Sequence, residues 1–290
     1  MSFDSQQQIQ ASATNNYTYP QVIVETEWVA KNLDNPNIRI LEVDMDANSY
    51  ETGHLSGAVF WHSFQTVSLP DMRYNFNKEA LEKLLSQSGI NNDTTIIVYS
   101  NHNAIAPVVF WFLTGFGHHD VRVIDGGKKK WIAENRHLTK EILTPTKTEY
   151  KVQDFDQNLR VEFNTVLQAI NNPSYALVDV RTAEEYRGEL FMMKPPEAGE
   201  RGGHIPGAAH IRYQEALRED DTFKSVAELK ALYESKGVSS DKNIIIYCAV
   251  GARAAHTWFV LKYLLGYSNV RNYDASWSEW GSRSDTPVEQ

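Results

Sequence analysis

Asn243-Ile244-Ile245-Ile246-Tyr247-Cys248-Ala249-Val250-Gly251-Ala252-Arg253 is the stretch on which the reading of this chain turns. Ile244 to Tyr247 form a continuous apolar run, as expected of a strand buried on both faces. Cys248 ends that run, and the apolar segment from Ala254 to Leu265, closed by Gly266, reads as a buried helix. Strand, short loop and helix in that order place the thiol among loop amides and a helix N-terminus. Their positive partial charge favours thiolate over thiol. Arg253, five residues on, adds a permanent cation. A lone cysteine can also be a small buried hydrophobe. Cys248 lies between elements rather than within an apolar stripe, and that position points to a nucleophile.

Working outward, the same unit is written twice. Ile38 to Asp44 reads as a buried strand, followed by Gly53-His54-Leu55-Ser56-Gly57-Ala58 and by a second strand, Thr95 to Ser100. Tyr175 to Arg181 repeats the first strand, Gly203-His204-Ile205-Pro206-Gly207-Ala208 the glycine-histidine segment, and Asn243 to Cys248 the second strand. Each copy then closes alike, Val121 to Asp125 running on to Trp131 and Val270 to Asp274 to Trp280. Helical patterning separates the strands: Asn77 to Leu85, stopping at Gly89, and Ser225 to Tyr233, stopping at Gly237. Alternating strands and helices predict an α/β fold, each copy a mostly parallel sheet flanked by helices. A polar stretch from Thr144 to Asn158, with Pro145 and no periodicity, reads as the linker. Between Arg187 and Gly202 the second copy holds extra residues, including Pro195-Pro196. Such an insertion either shapes substrate access or is a variable surface loop.

A length of 290 residues accommodates two domains, and 42% hydrophobic content is enough to build two cores. With one cysteine there is no intramolecular disulfide and no cysteine-cluster metal site. A free thiol suits a reducing compartment, so the expected location is cytoplasmic. Residues 1–20, rich in Gln, Asn, Ser and Thr, lack the apolar core of a secretory signal and read as a flexible tail. No run is long and apolar enough to span a bilayer, so no membrane partner is expected. The net charge of −9 disfavours nucleic acid. Lys128-Lys129-Lys130, the one tight basic run, reads as a solvated face, and His118-His119 as an exposed turn. No dinucleotide fingerprint, Walker loop or zinc-protease motif is present, so neither metal nor organic cofactor is expected.

The duplication, the strand-end cysteine, the Cys-x4-Arg loop, the Gly-His-Ile-Pro-Gly-Ala segment and the tail Tyr273 to Trp280 together resemble the two-domain rhodanese sulfurtransferases. The likeness covers about residues 22 to 285. It implies two tandem rhodanese-like domains, 21–143 and 159–290, joined by a 144–158 linker. It further implies thiosulfate sulfurtransferase activity. Cys248 attacks the outer sulfur of a small anionic donor, sulfite leaves, and a thiol or cyanide acceptor takes sulfur from the resulting persulfide. Amides of Ala249, Val250, Gly251, Ala252 and Ala254 would cradle that persulfide, with Gly251 providing curvature. Arg253 would meet the donor's sulfonate or brace the loop, and Arg187 would reach the cleft. In the first copy Ser100 replaces the cysteine and Asn101 to Ile105 contain no arginine, so that domain is expected to be catalytically silent. A serine hydrolase using His102 lacks both a Gly-x-Ser-x-Gly elbow and an acid at a telling position in sequence.

The chain departs from the family pattern at several points. Ala249 stands where thiosulfate-using members often carry a cation, Glu185 where some carry an arginine, and Asp274-Ala275 where Asp-Gly is usual. Loop chemistry separates the competing functions. Mercaptopyruvate sulfurtransferases resemble Cys-Gly-x-Gly-x-Thr, ending in threonine where this chain has Arg253. Cysteine phosphatases use Cys-x5-Arg, one residue longer, and arsenate reductases commonly need a second cysteine. A non-catalytic sulfur-carrier or binding module remains the third class.

Overall fold

The computed structural model describes residues 15–63, 68–69 and 72–290. Of the expected tail, residues 1–14 lie outside the described residues. The chain divides into two compact units, one running to Asp156 and taking in Arg218–Phe223, the other comprising Gln157–Leu217 and Lys224–Gln290.

The first unit runs β1 (Ile23–Val24), α1 (Thr26–Lys31), β2 (Ile38–Asp44), α2 (Asn48–Thr52), β3 (Val59–His62), α3 (Lys78–Gln87), β4 (Thr95–Tyr99), α4 (Ile105–Gly115), β5 (Val121–Ile124) and α5 (Gly127–Ala133). Its strands pair in the order β1-β5-β4-β2-β3, every pair parallel. The second unit runs α6 (Phe163–Ala169), β6 (Tyr175–Asp179), α7 (Ala183–Tyr186), β7 (Ala209–His210), α8 (Val226–Glu234), β8 (Asn243–Tyr247), α9 (Ala252–Phe259), β9 (Val270–Asn272) and α10 (Ser276–Trp280). Its sheet order is β7-β6-β8-β9, again all parallel. Each unit is therefore an α/β layer structure, because parallel neighbours need crossover connections.

The apolar runs β4 and β8 lie inside their sheets and are buried from their second residue onward. Helix ends follow the expected chemistry. The Asn77 side chain accepts the Ala80 N–H, and Ser225 forms a reciprocal box with Glu228 at the start of α8. The helix after Cys248 begins two residues earlier than the pattern predicts. Gly251, at φ +86°, turns the chain sharply enough for α9 to start at Ala252. From Val260 to Leu264 the helix continues with wider π spacing, until Gly266 at φ +75°.

Two expectations are corrected in the first unit. Lys128 is not on a solvated face: its Nζ lies 2.8 Å from Glu42 Oε1, both side chains being buried, and it also reaches Ser49. Lys129 donates to the Glu219 carbonyl and Lys130 pairs with Glu25. Sequence spacing does not reveal this, because Glu42 lies on a strand 86 residues away. His118 is likewise buried, held by the Tyr150 hydroxyl at 2.6 Å and the Thr94 carbonyl at 2.9 Å. Burial depresses its pKa.

Lys128→Met leaves Glu42 a buried carboxylate without its cation. We expect a loss of about 3–5 kcal/mol in urea unfolding, most of it recovered in the Glu42→Gln/Lys128→Met double variant. Asp125, at the end of β5, is buried and accepts the Phe223 N–H at 2.9 Å. Burial pushes its pKa up to about 7. A carboxyl that keeps its proton longer folded than unfolded makes stability fall as pH rises from the ordinary carboxylate range to about 7. Asp125→Asn is expected to flatten that slope in pH-dependent denaturation.

Candidate active site at the end of strand β8

Cys248 follows the last residue of β8 and is 1% exposed. Its backbone is fixed from the start of α10: the Cys248 N–H donates to Ser276 Oγ at 3.0 Å, and the Cys248 carbonyl accepts the Trp277 N–H at 3.0 Å. Ala249 is tied in the same way, its carbonyl accepting the Ser278 N–H at 2.9 Å. Ser276 adopts φ +53°, unfavourable for an L-residue, and its hydroxyl also donates to the Tyr273 carbonyl. Matching the two tails at Asp125 and Asp274 puts Gly127, at φ +52°, in the same place in the first unit. The second unit thus accepts backbone strain where the first uses glycine, and gains a hydroxyl that holds the cysteine's amide.

The sulfur itself is addressed by the loop. The Gly251 N–H donates to Cys248 Sγ at 3.1 Å. Gly251's own carbonyl is held by the Asn272 side chain at 3.2 Å and the Ala255 N–H at 2.9 Å. Ala252, Arg253 and Ala254 are the first residues of α9, whose N–H groups have no acceptor within the helix. Such a terminus is suited to an anion. Ala249 and Gly251 are buried, while Val250, Ala252 and Arg253 are half-buried and form the loop's rim.

Arg253 does not project freely. Its Nη1 and Nη2 meet Glu185 Oε2 at 2.6 Å and Oε1 at 2.9 Å, a two-pronged pair with a fully buried carboxylate. Glu185 also accepts the Thr182 N–H while its own amide donates to Thr182 Oγ1, a capping box that starts α7. Burial alone would raise the Glu185 pKa. The hydrogen bonds and charge of Arg253, with the Thr182 amide, outweigh it and hold the group below the usual range. On the Arg253 side burial opposes the charge, but the bonds to Glu185 and the attraction of Cys248 and Glu185 raise its pKa. Two residues beyond β6, Arg181 pairs with Asp179, both fully buried, at 2.6 Å. It donates to the Gly203 carbonyl, and its guanidinium lies 4.4 Å from the Trp277 ring centre.

Of the residues singled out from sequence, Cys248, Ala249, Val250 and Gly251 form the loop, and Ala252 and Arg253 open the helix that follows it. Arg187 is not brought to that loop. As the residue closing α7, it is half-exposed and paired with Glu189 at 2.7 Å and with Glu184. Sequence reasoning noted Glu185 as a departure but missed its bond to Arg253; the Thr182-x-x-Glu185 spacing was the available signal for a buried helix start. The glycine-histidine segments prove structural. His204 and His54 each bond the carbonyl of a tyrosine, Tyr186 and Tyr50, and stack on that ring. Each histidine's backbone pairs with the copy's closing segment, at Glu289 and Thr139.

The corresponding loop of the first unit is held differently. Ser100 donates to Asp44 Oδ1 at 2.7 Å, the Asn101 N–H donates to Asp44 Oδ2 at 2.9 Å, and the His102 N–H donates to Ser100 Oγ. Glu42 and Asp179 hold matching positions opposite Tyr99 and Tyr247. Asp44 therefore stands where the second unit has Arg181. A carboxylate bonded to Ser100 and to the Asn101 amide thus occupies the position where the other unit has a guanidinium.

Fold and site define a duplicated α/β protein with one thiol set at a strand end among loop amides. Rhodanese-like domain models match residues 25–134 and 162–283, and the chain belongs to the rhodanese family. Over 285 residues it is 44% identical to the sulfur carrier protein TtuD of Thermus thermophilus, covering 94% of this chain and 98% of that protein. It is 43% identical over 273 residues to a Saccharopolyspora erythraea protein provisionally named a thiosulfate sulfurtransferase, covering 93% and 96%. Among solved structures, an EanB variant carrying a cysteine persulfide, in a tetrahedral intermediate state with ergothioneine, superposes with a TM-score of 0.82. That match has 23% identity and covers 94% of this chain and 71% of the other, a likeness of fold. No helix among the described residues is long and apolar enough to cross a membrane.

Arg253→Met strands the Glu185 carboxylate. We expect about 3–5 kcal/mol of destabilisation at neutral pH. A carboxylate with a depressed folded pKa contributes stability above the ordinary value and loses it as pH falls through the folded one. The gap between wild type and variant is therefore expected to narrow below about pH 4.5 in urea titrations at several pH values.

Proposed function

We propose that this protein moves sulfane sulfur from thiosulfate, through a persulfide on Cys248, to a thiol or cyanide acceptor in the cytoplasm. The observation that carries the reading is the Gly251 N–H directed at Cys248 Sγ, with the open end of α9 beside it. In the first step the Cys248 thiolate attacks the outer sulfur of thiosulfate. A new S–S bond forms, the old one breaks, and sulfite leaves with the electron pair. The terminal persulfide sulfur then bears the negative charge, and the amides of Gly251 and of residues 252–254 are the donors available to it. In the second step the acceptor attacks that outer sulfur and Cys248 is released as thiolate. The first domain acts as a silent partner, its loop floored by Asp44.

The family and the relatives' names support sulfur handling, and the thiosulfate-type donor draws on the Saccharopolyspora relative. Arg253 at the loop's last position favours this donor over 3-mercaptopyruvate. A sulfur-carrier role is the second reading, favoured by the likeness to TtuD. The two differ in turnover: a carrier loads once and waits for a protein acceptor, whereas an enzyme cycles with small thiols or cyanide.

Incubation with thiosulfate is expected to add one sulfur to the intact mass, and Cys248→Ser to abolish both the adduct and sulfite release without loss of fold. Retained sulfite release by Cys248→Ser would rule out the assignment. Loading without multiple turnovers would select the carrier reading.

A further inference from the structure

We infer that Asn272 is a positioning residue for sulfur transfer: its side-chain amide sets and polarises the peptide between Gly251 and Ala252, so that the Ala252 N–H donates to the outer sulfur of a Cys248 persulfide. This rests on Cys248 being the sulfur-accepting group and adds a residue from a neighbouring strand to the loop that serves it.

Asn272 closes β9 and pairs with Ile246 of β8, the strand that ends at the thiol. It is fully buried. Its Nδ2 donates to the Gly251 carbonyl at 3.2 Å, and because that neighbour is an acceptor the amide nitrogen must face it. The Gly251 carbonyl already accepts the Ala255 N–H at 2.9 Å, within the first turn of α9. The bond from Asn272 is thus not needed to satisfy a buried carbonyl. Nor does the amide satisfy itself: Asn272 Oδ1 is buried without a donor among the described residues, an arrangement that costs stability.

The first unit indicates that the fold does not ask for an amide at this place. With Tyr99 matched to Tyr247, Val98 matches Ile246, and their partners on the next strand are Val123 and Asn272. Val123 is buried in the copy that has no cysteine. An apolar residue therefore fits the position, and the polar one stands beside the thiol's loop.

Peptide geometry says what the bond does. The Gly251–Ala252 peptide is trans, so its C=O and N–H point in opposite directions. A carbonyl held by Ala255 and Asn272 directs the Ala252 N–H out of the first turn, where it has no acceptor within the helix. Donation to the carbonyl also polarises the plane and strengthens that N–H as a donor. During transfer the S–S bond to Cys248 forms as the S–S bond of thiosulfate breaks, and sulfite leaves with the electron pair. The sulfur gained carries one negative charge. The Gly251 amide already addresses the inner sulfur, and the Ala252 N–H is the next donor along the chain.

The test uses the full-length chain. Asn272→Leu keeps the bulk and removes the donor and the unpaired acceptor together. It is expected to load sulfur from thiosulfate about tenfold more slowly, less than the loss of a whole oxyanion donor brings, and to shift the loading equilibrium against sulfite by about the same factor. Its urea midpoint is expected to equal or exceed that of wild type. By amide NMR of isotope-labelled wild type, the Ala252 proton is expected to move downfield when the persulfide forms, and to move less far in Asn272→Leu. Loading by Asn272→Leu at the wild-type rate overturns the inference. Slower loading with a lowered urea midpoint also overturns it, because Asn272 is then a packing residue. An Ala252 proton that stays in place in loaded wild type does the same, and that measurement decides alone if Asn272→Leu does not fold. Each of these results leaves the persulfide reading intact. Wild type that gains no sulfur by intact mass overturns that reading, and this inference with it.

Discussion

The hydrogen bond from the Gly251 amide to Cys248 Sγ is the contact on which the site depends. It requires the left-handed backbone of Gly251, which lets α9 begin four residues after Cys248 with its first N–H groups free of helical partners. A residue with a Cβ would resist that conformation. The loop is stiff because both sides of it are anchored. Ser276 and Trp277 fix the Cys248 backbone, while Asn272 and Ala255 hold the Gly251 carbonyl. Rigid amides that need no reorganisation are what make such a cradle effective for a developing anion.

Around that contact the two units solve one problem in opposite ways. Both bury a charged pair beneath the loop, and both use a strand tyrosine whose hydroxyl accepts a backbone N–H, from Leu55 in one and Ile205 in the other. In the first, the carboxylate of Asp44 ties down Ser100 and Asn101. In the second, Arg181 holds the matching position, its charge met by Asp179 and its guanidinium set over the Trp277 ring. The first loop thus differs from the second by more than the exchange of cysteine for serine: the carboxylate of Asp44 stands where the second unit has the guanidinium of Arg181.

Much of this was legible in the chain. The duplicated strand, glycine-histidine and tail segments gave the architecture, because parallel β-strands buried on both faces leave continuous apolar runs. The strand-end position of Cys248 and the Cys-x4-Arg spacing gave the loop. Long-range pairing was not legible: Lys128 with Glu42, His118 with Tyr150, and Arg253 with Glu185 join residues 32 to 86 positions apart. Charge in a sequence reads as solvated until its partner's position is known. Ser276 was hidden for a different reason, since its role rests on a backbone angle that glycine occupies in the other copy.

A crystal structure of the protein after loading with a sulfane-sulfur donor tests the central claim most directly. The account predicts a second sulfur bonded to Cys248, within hydrogen-bond reach of the Gly251 amide and of at least one amide from residues 252–254. An unmodified Cys248 in crystals of protein whose mass shows the added sulfur would contradict it, as would a persulfide turned away from those amides.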